Sequence, residues 1–256
     1  MKRLLTGIVL APLIVCLVLW GPQIAFLAVL TIVALLCFYE YCGIVAAYGI
    51  QPPGPVGYAV GLIVLLAPLD SWLLLTLVTL VVLALTLSLD DLAKSLPRAS
   101  ATLLGVLYIF ATWRAAIFLR ARSEYWLLFA LALTWLGDIA AYYAGRALGR
   151  HKLAPRISPA KSWEGAVASL VASAVFAGLY LPRLIPSAPL VEGVLIGAAG
   201  NLAGQIGDLA ESALKRGGGL KDSGTMLPGH GGWLDRVDSA LFALPIIYGL
   251  IAWRGL

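Results

Sequence analysis

Between Ser212 and Asp238 the chain gathers Lys215, Arg216, Lys221, Asp222, His230, Asp235, Arg236 and Asp238 among Gly217, Gly218, Gly219, Gly224, Gly229, Gly231 and Gly232. Glycines let the backbone turn freely and approach a ligand closely. Exposed amides in such turns can cradle phosphate oxygens. Lysine and arginine supply positive charge for the same oxygens. A hard cation such as Mg²⁺ takes one or two carboxylates together with substrate phosphates. It then neutralises charge on the phosphate under attack and on the leaving group. These residue types therefore point to metal-assisted phosphoryl or nucleotidyl transfer. Asp235 and Asp238 also suit the start of a helix, where carboxylates are favoured, so capping is a competing use for them. His230 has two readings. It can act as a base or phosphate donor near neutral pH, or it can bond to backbone and fix the turn from Pro228 to Gly232. A phosphate monoester nucleophile is already anionic and needs no base.

Two upstream segments run toward this loop. Asn201, Gln205, Asp208, Ser212 and Lys215 are spaced i, i+4, i+7, i+11 and i+14, which puts them on one helical face, with Glu211 close to the stripe. Thr134, Asp138, Tyr142, Gly145 and Gly149 repeat the pattern. A polar seam that joins helices would explain part of the first stripe, and pairing with Arg114 would explain Asp138. Carboxylates leading directly into a basic, glycine-rich loop favour a cation or phosphate site. The loop 149–162 adds Arg150, His151, Lys152, Arg156 and Lys161. Ser162 suits a helix cap, Trp163 suits a membrane interface, and Lys161 is placed to reach a substrate phosphate. The chain has neither G-x-x-x-x-G-K-[ST] nor G-x-G-x-x-G in a βαβ setting, so a nucleotide would bind among helix ends and loops.

The elements that hold these residues are membrane helices. The chain is 61% hydrophobic and 12% charged, with a mean hydropathy of +0.94. Long apolar runs recur without the alternation of a membrane strand, which predicts an all-α, polytopic membrane protein forming a single domain. About nine spans are expected, near residues 4–20, 22–40, 56–69, 71–88, 101–119, 125–148, 163–182, 189–214 and 237–254. The N-terminal helices run to about residue 120, and the catalytic helices and loops occupy about 125–256. Met1-Lys2-Arg3 before an apolar run reads as a first membrane helix rather than a cleaved signal. The net charge of +5 is spread over short loops, which suits topology and lipid headgroups and gives no reason to expect nucleic acid. With the N-terminus inside, Lys94, Arg98, Arg146, Arg150, Lys161, Lys215 and Arg236 fall on the cytoplasmic side, against Arg120, Arg122, Arg183 and Arg254 outside. Both polar loops then face the cytoplasm, in a plasma or inner membrane. Cys16, Cys37 and Cys42 have no CxxC or zinc-ligand spacing, so neither a disulfide framework nor a zinc site is expected.

The run Ser212-x-Leu-Lys-Arg-x₄-Lys-Asp-x-Gly-x₂-Leu-Pro-x-His-Gly-Gly-x₂-Asp-Arg-x-Asp238 resembles the pattern of phosphatidate cytidylyltransferases, also called CDP-diacylglycerol synthases. A second block supports the resemblance: Trp135-x₂-Asp138-x₂-Ala141-Tyr142-x₂-Gly145-x₃-Gly149-x₂-Lys152, then Ile157-Ser158-Pro159 and Trp163-Glu164-Gly165, with Tyr39-Glu40 near the end of the second span. Trp233 and Ala160 depart from the pattern, the first in packing and the second in a phosphate contact. The resemblance implies CTP + phosphatidate → CDP-diacylglycerol + pyrophosphate. It implies Asp208 and Asp235 as metal ligands and catalytic residues, with Ser212 and Lys215 beside them. Asp138, Lys161, Arg216, Lys221, Asp222, His230, Arg236 and Asp238 would contact substrate. Mg²⁺ is the expected cofactor, and a second cation such as K⁺ stays open. CTP and bilayer phosphatidate are the expected partners, and a homodimer is compatible with the chain. Two other functions compete. A CTP-dependent polyprenol or phytol kinase would release CDP instead of pyrophosphate. A cation or lipid-phosphate transporter would be expected to show repeats and mid-span helix breaks, and neither is evident here.

Overall fold

The computed structural model describes residues 2–68, 71–227, 229 and 231–256, with side chains described from Leu10 onward except at Ser71. His230 therefore lies outside the described residues. Among the described residues ten α-helices follow in order: α1 (Lys2–Trp20), α2 (Gln23–Ala47), α3 (Gly54–Leu66), α4 (Ser71–Leu85), α5 (Ser95–Gly105), α6 (Thr112–Arg122), α7 (Glu124–Leu148), α8 (Trp163–Leu184), α9 (Leu190–Gly217) and α10 (Leu234–Arg254). A π turn, Val106–Ala111, joins α5 to α6, so the two form one continuous rod. Among the described residues six helical segments are long and apolar enough to cross a bilayer: Gln23–Ala47, Leu92–Arg122, Glu124–Leu148, Trp163–Leu184, Leu190–Gly217 and Leu234–Arg254. The described part of α1, Leu10–Trp20, and two further segments, Gly54–Leu66 and Trp72–Ser88, are apolar but shorter than this, so six of the nine expected spans are matched by helices of crossing length. The chain is a multi-pass helical membrane protein. In lipid only structures that bond their own backbone can span, and helices do so.

Local chemistry sets the helix ends. Pro22, Pro53 and Pro189 each stand directly before a helix, where the lack of an N–H costs nothing. Ser123 Oγ accepts from Tyr125 N at 3.2 Å and starts α7, and Ser162 Oγ accepts from Gly165 N at 3.2 Å and starts α8. Each satisfies an amide that the first turn would otherwise leave open. The segment between α7 and α8 differs from the open loop read from sequence. Lys152–Ala154 (β1) and Ser158–Ser162 (β2) pair as an antiparallel hairpin with an irregular register, Lys152 opposite Ser162 and Ala154 opposite Ser158. Trp163 N donates to His151 O at 2.9 Å, and His151 Nδ1 lies 2.6 Å from Glu164 Oε1, so the hairpin is fastened to the start of α8. Its strands are too short and polar to read by alternation.

Two aromatic groups brace one continuous buried core. In the first, Phe38 lies 4.9 Å from Tyr58 and 5.1 Å from Phe110, ring centre to ring centre, and Tyr41 Oη donates to Ala101 O at 2.8 Å. In the second, Phe129, Phe176 and Tyr180 stack across α7 and α8, and Tyr180 Oη donates to Tyr125 O at 3.0 Å. α7, α8, α9 and α10 pack successively, α10 also meets α6 and α7, and α2 reaches α10. Small residues let the helices approach: a side chain at Gly197 would press on Ala177, and one at Gly207 on Phe242 and the backbone of Asp238. The C-terminal ends of α2, α7 and α9 and the N-terminal ends of α8 and α10 therefore meet at one end of the molecule. Tyr48 Oη fixes that end of α2 by donating to Leu214 O at 2.8 Å.

Candidate active site

The polar stripe on α9 divides into two parts with different work. Asn201 Nδ2 donates to Ser169 Oγ at 2.8 Å and Ser173 Oγ at 2.9 Å, and Gln205 Nε2 donates to Asn201 Oδ1 at 2.7 Å and Ala166 O at 3.1 Å. This inner part is the seam between α8 and α9. Below it, Asp208, Glu211 and Lys215 carry charge to the end of the helix, with Ser212 among them. Ser212 Oγ lies 3.5 Å from Asp208 Oδ1, at the limit of a hydrogen bond.

Two lysines tie the separate segments together. Lys161, on β2, sits 2.6 Å from Asp208 Oδ2, which brings the hairpin onto α9. Lys215 lies 2.5 Å from Glu211 Oε2 and bonds Asp235 Oδ1 at the start of α10. Glu211 is 0% exposed, and its Oε1 has no hydrogen-bond partner among the described residues. Asp235 also accepts from Ser223 N at 3.0 Å and Gly232 N at 2.8 Å, so both its oxygens hold protein donors. These amides belong to the glycine-rich loop and not to α10, so Asp235 braces the loop rather than capping the helix. Asp208 is more open, with 30% of its side chain exposed.

Asp138 and Asp238 complete an acidic group. The charges of Asp208, Glu211 and Asp138 are all felt at Asp238, and those of Asp208, Lys161 and Arg236 at Asp138. Asp238 Oδ1 also accepts from Ser239 N at 2.7 Å. The alternative partner for Asp138, Arg114, instead donates to Val64 O at 2.7 Å and lies over the Phe118 ring. Arg216 serves as a clamp between the two polar segments: Nη1 donates to Leu220 O at 2.9 Å and Nε to Ile157 O at 3.4 Å. Lys221, Asp222 and Arg236 are exposed at the same end.

The residue that sequence reasoning left without a role is Glu40. It is 2% exposed near the end of α2. Its carboxylate accepts from Ser223 Oγ at 2.8 Å, Trp233 N at 3.0 Å and Leu234 N at 2.8 Å. It therefore caps α10 from another helix and fastens the glycine-rich loop at both ends. The available signal was its type, since an ionisable residue inside an apolar span marks function by default. Gly224 and Gly232 lie against this carboxylate, and a methyl group at Gly232 would overlap both Glu40 and Ser223. Gly232→Ala should cost about 1–3 kcal/mol, as overpacking of fixed neighbours does. Melting in detergent and turnover should fall together, and a variant that melts and turns over like the parent would show that the loop is not clamped.

Among the described residues no three of His, Cys, Asp and Glu converge closely enough to hold a metal alone. A Mg²⁺ ion does not require such a cage, because it keeps waters and takes substrate phosphates. The donor set suits it nonetheless. Asp138, Asp208, Glu211, Asp235 and Asp238 outnumber Lys161, Lys215 and Arg236 in this region. A polyphosphate would meet net repulsion here unless a cation came with it.

Comparison with known proteins places the chain among relatives. Residues 1–253 match the model of the cytidylyltransferase family. A phosphatidate cytidylyltransferase of Staphylococcus aureus (strain COL) is 36% identical over 225 residues, which is 84% of this chain and 85% of the relative. One from Staphylococcus saprophyticus is 37% identical over 202 residues, covering 76% and 77%. One from Brucella suis biovar 1 is 50% identical over 123 residues, and this match spans 48% of the chain but only 45% of the relative's length. The family match covers the helices, the hairpin and the glycine-rich loop alike, so the chain belongs to the cytidylyltransferase family.

Proposed function

We propose that the protein transfers the CMP moiety of CTP to phosphatidate, giving CDP-diacylglycerol and pyrophosphate. The observation that carries this reading is the meeting, at one end of the bundle, of an acid-rich group with Lys161 from the hairpin, Lys215 from α9 and a clamped glycine-rich loop. The names of the relatives supply the substrates. The glycine-rich loop and the hairpin face the cytoplasm, where CTP is present, and the protein resides in the plasma or inner membrane. The acyl chains stay in the bilayer while the lipid phosphate enters from the side of the helix ends.

A lipid phosphate oxygen attacks the α-phosphorus of CTP in line. A new P–O bond forms as the bond from the α-phosphorus to the bridging oxygen breaks, and its electron pair leaves with pyrophosphate. Lys161 and Lys215 are held by carboxylates before substrate arrives and can exchange these partners for phosphate oxygens. Lys221 and Arg236 are free to meet the leaving pyrophosphate, with Arg216 holding the loop and Ser212 beside Asp208. Asp208, with Asp235 once Lys215 moves, would hold Mg²⁺, which supplies charge neutralisation when bound. Asp138, Asp222 and Asp238 set the local field. Catalysis is positioning and electrostatics rather than proton transfer. Asp208→Asn should lower pyrophosphate release by about 10²–10³-fold at saturating Mg²⁺, the scale of losing a charge-stabilising group. A variant that releases pyrophosphate at the parental rate would remove Asp208 from the site.

A further inference from the structure

Tyr108 lies in the π turn between α5 and α6, remote in sequence from every residue of the site. Single π turns within α-helices occur often at functional sites. The side chain is only 8% exposed, and among the described residues its hydroxyl has no hydrogen-bond partner. The ring is held edge-on by Phe242, centroid to centroid 5.9 Å at 69°. Phe242 stands one turn beyond Asp238 on α10. Phe242 in turn packs against Gly207, next to Asp208 on α9, so the Tyr108 ring stands beside the helix turns that carry Asp208 and Asp238. Glu211 Oε1, the other unmatched buried oxygen here, belongs to the same acidic group. A buried hydroxyl without a partner is costly, and fixing its ring against α10 leaves it little room to find one.

We propose that Tyr108 is a further substrate-binding residue, whose hydroxyl donates a hydrogen bond to a phosphate oxygen of the bound substrate. The proposal rests on the transfer reading above. Lys161 and Lys215 must each leave a carboxylate before they can hold a phosphate. Tyr108 has no such partner to give up. A neutral hydroxyl also adds a donor to an acidic chamber without demanding another counter-charge. The π turn is what presents it: the extra residue rotates the helix locally, so that Tyr108 reaches α10 while Phe110 keeps its place against Phe38. The phosphate could be that of the lipid or that of the nucleotide, and the recognising chemistry is the same.

The test uses the full-length protein in detergent. Tyr108→Phe keeps the ring and its contact with Phe242, so its melting temperature should stay close to the parent's. Its kcat/KM should fall about tenfold or more for the substrate it binds, the effect of a lost hydrogen bond to a charged group. In parallel, 3-fluorotyrosine at position 108 gives a ¹⁹F resonance that is followed on adding phosphatidate alone, and CTP with Mg²⁺ alone. A shift with phosphatidate assigns the contact to the lipid phosphate, and a shift with CTP assigns it to the nucleotide. An unmoved resonance with both overturns the proposal, and so does a moved resonance with kcat/KM unchanged for both substrates. If the parent protein makes no lipid-borne product, the transfer reading fails by itself, while the resonance still reports whether Tyr108 meets a phosphate.

Discussion

Lys215→Met is expected to destroy both stability and turnover, because one ammonium group serves two buried carboxylates. The side chain is 8% exposed and lies between Glu211, which is fully buried, and Asp235. Removing one partner of a buried ion pair costs about 3–5 kcal/mol, since the other charge stays behind unpaired. Here two carboxylates would be stranded. Turnover should drop by at least about 10²–10³-fold, because α9 and α10 lose their common tie and the phosphate loses a cation. Glu211→Gln placed in the Lys215→Met background removes one stranded charge and should restore part of the melting temperature without restoring turnover. The two measurements together separate the structural role of the lysine from its chemical one. If Lys215→Met melts with the parent, the lysine does not join the helices as described.

Glu40→Gln should have the next largest effect, and it acts from outside the segments that carry the chemistry. The carboxylate accepts three bonds, two of them from the open amides of Trp233 and Leu234 at the start of α10. An amide side chain keeps one acceptor and turns a donor toward those donors. Hydrogen bonds to charged groups are worth about 1.5–3 kcal/mol each, so a loss of about 2–4 kcal/mol follows. The loop from Gly218 to Trp233 would lose its anchor on α2. A displacement of about 1 Å at a reacting centre can cost about 10²-fold in rate. Amide exchange in the loop should therefore rise and turnover should fall, while the α7–α8 segment keeps its protection. Equal exchange in parent and variant would show that Glu40 does not hold the loop.

Much of this site could be read from sequence because charge stands out in a greasy chain. Asp208 and Lys215 stand out by type and helical spacing and Asp235 by type, and the structure pairs Asp208 with Lys161 and Asp235 with Lys215. The same spacing rule puts Asn201 and Gln205 on the stripe, but it cannot say that Asn201 meets Ser169 and Ser173 on α8 while Gln205 meets the backbone of Ala166. Periodicity reports a face and not what the face meets. Arg216 shows the same limit, since its type suggested phosphate while its geometry is a backbone clamp. Glu40 and Ser223 are 183 positions apart, and no local pattern links them. The hairpin and the π turn escaped for a further reason: neither has a hydrophobic period of its own. Two of the expected spans, 56–69 and 71–88, fall on helices shorter than a bilayer-crossing helix, because hydropathy reports an apolar run and not where the backbone turns.

The central claim is that the nucleotide's α-phosphorus moves to the lipid. It is tested most directly with purified protein in detergent, phosphatidate and Mg²⁺, given CTP labelled at the α-phosphate in one tube and at the γ-phosphate in another. The account predicts that α-label enters the lipid phase in step with pyrophosphate release, while γ-label stays in water. Label in lipid only from γ-labelled CTP, with CDP released when a polyprenol is supplied, would contradict it and make the protein a lipid kinase.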